Sequence, residues 1–144
     1  MKRPYQLKQR GAARDQTRQK IVEAAIHLHQ TKGIAATSMT DIAEQAGVGK
    51  VTVYRHFPDL GAVAGACSGL YFERHPFPDP ALWRAIEDPA ARLHQGLLEA
   101  YASHRATAPM LTSVYTDAPD LPVMAPHLAY SEGPAEALPG AGAE

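Results

Sequence analysis

Lys50, Val51, Thr52, Tyr54, Arg55 and His56 crowd one short stretch between Ala46 and Phe57, and their types are those that read nucleic acid. Lys and Arg can meet the acceptors of guanine, Thr can donate or accept a hydrogen bond, and Val51 can touch a thymine methyl. Tyr54 and His56 suit phosphate oxygens, contacts that fix register without reading sequence. Thr37 and Ser38 stand at the start of a predicted helix, where hydroxyls, free backbone N–H groups and the helix dipole together favour a phosphate. Each of these residues alone is usually a solvated charge or a cap. Their joint spacing is what points to duplex DNA.

Local signals set the elements that must carry them. Ser38 followed by Asp41 forms a capping-box-like start with Asp in place of the usual Glu, and Met39, Ile42, Ala43 and Ala46 supply a buried face about two turns long. Gly47 ends that helix, because the tight turn needs a positive φ or a residue without Cβ. Helical spacing resumes from Gly49 or Lys50 to His56, where Phe57-Pro58 closes it, with Val48, Val53 and Phe57 facing inward. Two short helices around a glycine-bearing turn are a helix-turn-helix. Before them, Asp15 can cap a helix whose apolar face is Ile21, Ala24, Ala25 and Leu28, stopped by Gly33. After them, Asp59 caps a helix to about Arg74 with Val63, Ala64, Cys67, Leu70 and Tyr71 inward; Gly61, Gly65 and Gly69 recur every fourth residue along it, a pattern read as tight packing in a core.

The remainder is less regular. Three prolines between His75 and Pro80 predict a linker, followed by a short helix at Ala81 to Ile86. Asp88-Pro89 starts an amphipathic helix through Leu93, Leu97, Leu98 and Tyr101 to about Arg105, and a separate segment is expected at Met110 to Asp117. The predicted organisation is all-α: residues 1–14 a flexible basic arm, 15–75 a three-helix helix-turn-helix domain, 76–130 a short, incomplete helical C-terminal domain, and 131–144 a disordered Gly/Ala/Pro/Glu tail.

Charge divides along the chain. Residues 1–58 hold ten Lys/Arg against four Asp/Glu, while residues 59–144 hold four against eleven, so a basic half adjoins an acidic one although the formal net charge is −1. A single cysteine, Cys67, excludes an internal disulfide, a zinc ribbon and a CxxC redox site, and suits a reducing cytoplasm. No run approaches the roughly 20 apolar residues of a membrane span. HExxH and GxSxG are absent, and Gly47-Val48-Gly49-Lys50-Val51-Thr52 only mimics a phosphate loop, lacking the earlier glycine and a Ser/Thr directly after the lysine. No catalytic residue, metal site or cofactor is predicted.

Thr17-Arg18, Ile21, Ala24-Ala25, Leu28, Gly33, Thr37-Ser38-Met39, Asp41-Ile42-Ala43, Ala46-Gly47-Val48, Thr52, Tyr54 and His56-Phe57 stand in one ungapped register over roughly Asp15 to Tyr71. In these positions the chain resembles the N-terminal domain of TetR-type regulators. The resemblance implies an all-helical homodimer whose C-terminal domain binds a small-molecule effector and alters the spacing of two DNA-reading heads. It carries DNA contact over to Thr37, Ser38, Lys50, Val51, Thr52, Tyr54 and His56. Three positions depart from the pattern: His29 replaces an aromatic, Gly49 a capping Ser, and Leu60 a phosphate-contacting Lys. Affinity is therefore expected to rest more on Lys50, Arg55 and the basic arm.

The function expected is sequence-specific binding of double-stranded operator DNA by a transcriptional repressor, a cytoplasmic homodimer open to a small-molecule effector. The competing expectation is a shortened regulator that acts as a protein-interaction module without repressing alone. Trp83, Tyr101, Met110 and Tyr115 are candidates to line an effector pocket, or else plain core.

Overall fold

The computed structural model describes residues 3–117 together with 121 and 122, and six helices account for most of them. The first, α1 (Arg3–Thr31), runs 29 residues, about 43 Å at 1.5 Å per residue. Its C-terminal part has an apolar face, and Ile21, Val22, Ala24, Ala25 and Ile26 are buried there. The stretch expected to be a flexible arm is instead helical from Arg3. Pro4 falls in the first turn, where its missing N–H costs nothing, and Gly11 costs only about 1 kcal/mol against alanine, so neither breaks a run of Gln, Lys, Arg and Ala. Residues 9–20, exposed except for Thr17, offer no apolar period to reveal the helix.

The turn after α1 is held by Gly33 at φ +96°, and the Lys32 N–H donates to the Leu28 carbonyl at 2.7 Å. Helix α2 (Met39–Ala46) then starts on the box anticipated: the Asp41 N–H donates to Ser38 Oγ at 3.2 Å, and the Ser38 N–H donates to Asp41 Oδ2 at 2.8 Å. Gly47 closes α2 in the left-handed region (φ +66°, ψ +35°), and the Val48 N–H reaches back to the Ala43 carbonyl at 3.0 Å. Helix α3 (Lys50–His56) has Gly49 at its cap and no side-chain cap bond. Phe57, extended before Pro58, ends it.

Helix α4 (Leu60–Arg74) is capped by Asp59, which accepts from the Ala62 N–H at 2.8 Å, and it buries Val63, Ala64, Cys67, Tyr71 and Phe72. An Arg74–Glu23 ion pair ties α4 to α1 at the surface. Helix α5 (Pro80–Trp83) is one turn, shorter than expected toward Ile86, and it leans on α6 (Pro89–Asp117): Trp83 lies over Gly96 and its indole N–H donates to Glu99 at 2.8 Å.

A break before Met110 was expected and there is none, for α6 continues through Pro109 to Asp117. An internal proline costs about 3 kcal/mol in a lost hydrogen bond and a clash. Tertiary burial offsets it. Thr107, Met110 and Val114 are buried, and Met110 and Val114 join the same core as Ile21, Ile42, Val53, Phe57 and Val63. The C-terminal end of α6 is thus part of the core that carries α2 and α3. The tail expected to be disordered, 131–144, lies outside the described residues.

Candidate nucleic-acid interface

The surface of α3 follows from two anchors. Val53 and Phe57 are buried at 0% and 2% exposure, four residues apart on one side of a seven-residue helix. The opposite side must then face solvent. Lys50, Val51, Tyr54 and Arg55 are exposed, with Val51 at 66% and Tyr54 at 45%. Thr52 and His56 are half-buried on the flank, and the His56 ring sits tilted against Phe57 at 6.4 Å between centroids. An exposed valine beside an exposed tyrosine on so short a helix wastes apolar area in water unless a partner covers it.

Phe57 also receives the Arg18 guanidinium, 4.8 Å from its ring centroid, which pins α1 to the end of α3. Arg18 carries this positioning role without having been singled out for it; the two residues lie far apart in sequence, and no local period links them.

The two residues expected at a phosphate before α2 are differently placed. Thr37 is 3% exposed, its hydroxyl donates to the Gly33 carbonyl at 2.6 Å and its N–H to the Ile34 carbonyl at 3.1 Å. Contrary to the expectation, its donors close the α1–α2 turn and do not face solvent. Ser38 is exposed, but its hydroxyl donates to Asp41 Oδ2 at 2.7 Å. Lys32 Nζ lies 2.9 Å from the same oxygen. Lys32 first, then the Ser38 hydroxyl and N–H, hold the Asp41 carboxyl well below the usual carboxylate range. The start of α2 therefore carries its own anion, and the exposed cations and apolar groups of this region gather on α3.

Residues 21–64 match the family of bacterial regulatory proteins, tetR family. Over 60 residues the chain is 37% identical to the HTH-type transcriptional regulator TtgR of Pseudomonas putida, covering 42% of this chain and 29% of that protein. Over 44 residues it is 41% identical to the HTH-type transcriptional regulator AcrR of Shigella flexneri, covering 31% of this chain and 20% of that one. The match thus spans under a third of either relative's length. Among solved structures, a mutant of HlyIIR superposes with a TM-score of 0.60 at 19% identity, covering 82% of this chain and 66% of that one, a likeness of fold. Over this stretch the chain is similar to tetR-family regulators.

The departures from the tetR pattern have physical consequences. Gly49 leaves the N-terminus of α3 without a side-chain cap, and Leu60, 41% exposed, opens α4 with no charge. His29 is 5% exposed at the junction of α1, α4 and α6, where desolvation lowers its pKa to about 4 against the opposing pull of Asp117. It borders a small cavity with Cys67, Ser68, Tyr71, Met110 and Val114, about 20 Å³, room for roughly one water. Burial pushes the Cys67 thiol up to about 12, so it is an inert core residue whose S–H points to the Val22 carbonyl at 3.8 Å.

Of the four residues considered for a pocket, Met110 alone borders this cavity; Trp83 packs on Gly96, while Tyr101 and Tyr115 are exposed on α6. Among the described residues no helix is long and apolar enough to cross a membrane, and no group of three His, Cys, Asp or Glu could hold a metal.

A further residue, missed in the sequence, ties α6 to the link between α1 and α2. The Asp117 carboxylate accepts from the Ile34 N–H at 2.7 Å and the Ala35 N–H at 3.0 Å, so the last residue of α6 closes the turn that leads into α2. Its partners lie 83 and 82 residues away, beyond any local signal.

Proposed function

We propose that this chain is a sequence-specific DNA-binding transcriptional regulator, a repressor that lays α3 in the major groove of double-stranded operator DNA. The observation that carries the reading is the solvent face of α3. Lys50, Val51, Tyr54 and Arg55 stand out together from a helix anchored by Val53 and Phe57. A seven-residue helix of this kind enters the major groove with its side chains at base edges. The regulators TtgR and AcrR, similar over this domain, support the same reading. It extends to a cytoplasmic homodimer whose two heads read half-sites, answering to a small-molecule effector, and it involves no catalysis.

The test is binding of the full chain to duplex DNA selected from a random pool. Lys50→Ala and Tyr54→Ala should each weaken binding while helicity by circular dichroism stays unchanged. Wild-type affinity should fall steeply with salt, because Lys and Arg release counterions from phosphate. An affinity indifferent to salt and to both substitutions would refute the reading.

One observation favours a second reading, the interaction module. Leu93, Leu97, Leu98 and Tyr101 of α6 are all exposed, an apolar face of the sort that meets another protein surface. A chain that binds no DNA yet associates through this face would support it.

A further inference from the structure

Between the N-terminal part of α1 and the flank of α3 runs an open groove lined by Ala13, Arg14, Thr17, Thr52, Arg55 and His56. The lining carries two guanidiniums and an imidazole and no carboxylate. The α1 acids are turned elsewhere: Asp15 lines a different groove, beside Glu73 of α4, and Glu23 pairs with Arg74. Among the described residues neither Arg14 nor Arg55 has an ion-pair partner, and both are exposed. Thr17 spends its hydroxyl on the Ala13 carbonyl at 2.9 Å. Two like charges that face one open groove without a counter-charge favour an anion between them.

We infer that this groove seats the sugar-phosphate backbone of the DNA whose major groove receives α3, with Arg14 and Arg55 clamping it from two helices. The inference rests on the DNA-binding reading above and adds to it a phosphate site on α1. The geometry follows from sizes. The major groove is about 12 Å wide and bounded on each side by a phosphate strand, so a helix laid in it has a strand running along each flank. The flank of α3 that carries Thr52, Arg55 and His56 is the one that faces α1. Helix α1 stays helical past its last buried turn, which holds Arg14 out beside that strand. Arg55, whose chemistry alone would equally suit a guanine, is thereby assigned to the backbone, and base reading is left to Lys50, Val51 and Tyr54 on the outer face.

The experiment measures equilibrium binding of the full chain, across a salt series, to a duplex selected from a random pool and to a shuffled duplex of equal length. Arg14→Gln and Arg55→Gln should each weaken binding to both duplexes by about three- to fivefold, the scale of one exposed charge contact. Each should also lower the slope of log K against log salt by about one, with the ratio between the duplexes unchanged. Arg14→Lys should restore the slope. Lys50→Ala should instead reduce the ratio. The clamp is overturned if Arg14→Gln binds like wild type at every salt concentration, or if Arg55→Gln collapses the ratio with the slope intact. Wild-type binding with a normal salt slope in those cases would leave the DNA reading standing. Failure of the wild type to bind either duplex would remove both.

Discussion

Helices α1 and α6 are both 29 residues long, and each is buried mainly at its C-terminal end. The buried ends meet in one core, Ile21, Val22, Ala25 and Ile26 from α1 with Met110 and Val114 from α6. The free ends differ in kind. That of α1 shows Arg10, Arg14 and Arg18, whereas that of α6 shows Leu93, Leu97, Leu98 and Tyr101. A charged helix end is stable in water and ready for a polyanion. An apolar one loses roughly 25 cal/mol for every Å² it leaves wet. The partners proposed for the two ends differ accordingly, a phosphate backbone for α1 and an apolar surface for α6.

The sharpest way to break this contrast is within α6 itself. Met110→Ala should destabilise the protein by about 2–5 kcal/mol in urea unfolding, as for a large side chain deleted from a packed core, while Leu97→Ala should change stability by about 0.5 kcal/mol or less. Equal effects would mean that α6 is not divided into a buried and a free half.

The next effect lies at the junction. His29 has an ordinary pKa of 6.5 when unfolded and about 4 when folded, because burial disfavours its charged form. The unfolded chain thus binds the proton first. Stability from the neutral imidazole is fully present above about pH 6.5 and is lost as pH falls toward 4, by about 3 kcal/mol over the window. Glu23 and Asp41, whose folded pKa values are lowered, also lose stability on acidification, but below their unfolded values of 4.5 and 3.8. Between pH 6.5 and 5 the slope therefore belongs to His29, and His29→Phe should flatten it in denaturation at stepped pH.

A smaller effect is expected at the end of α6. Asp117→Ala would leave the Ile34 and Ala35 N–H groups without their acceptor and should cost about 1–3 kcal/mol, the lower end applying if water replaces the carboxylate. Faster amide hydrogen exchange confined to the α1–α2 turn would show that the loss is local.

What could be foreseen from the sequence follows the range of each interaction. Ser38 with Asp41, Gly47, and Asp59 with the Ala62 N–H act within a few residues, so the helix boundaries around α2 and α3 and the outward face of α3 were legible. Pro109 reads locally as a break, and the burial of Met110 and Val114 that overrides it is tertiary. Residues 9–20 of α1 are almost all exposed and have no apolar period to detect. Thr37 has the chemistry of a phosphate donor, and its inward turn onto Gly33 depends on the shape of the α1–α2 link. The groove that brings Arg14 beside Arg55 joins two helices that sequence spacing cannot bring together.

The central claim, that α3 reads DNA, is tested most directly by exposing the purified chain to a pool of random duplexes and sequencing what it retains. A dimeric reader should enrich a palindrome with half-sites about one helical turn apart or a multiple of it, and the enrichment should vanish for Lys50→Ala. Retention of duplexes with no common sequence, or the same enrichment from the Lys50→Ala chain, would contradict it.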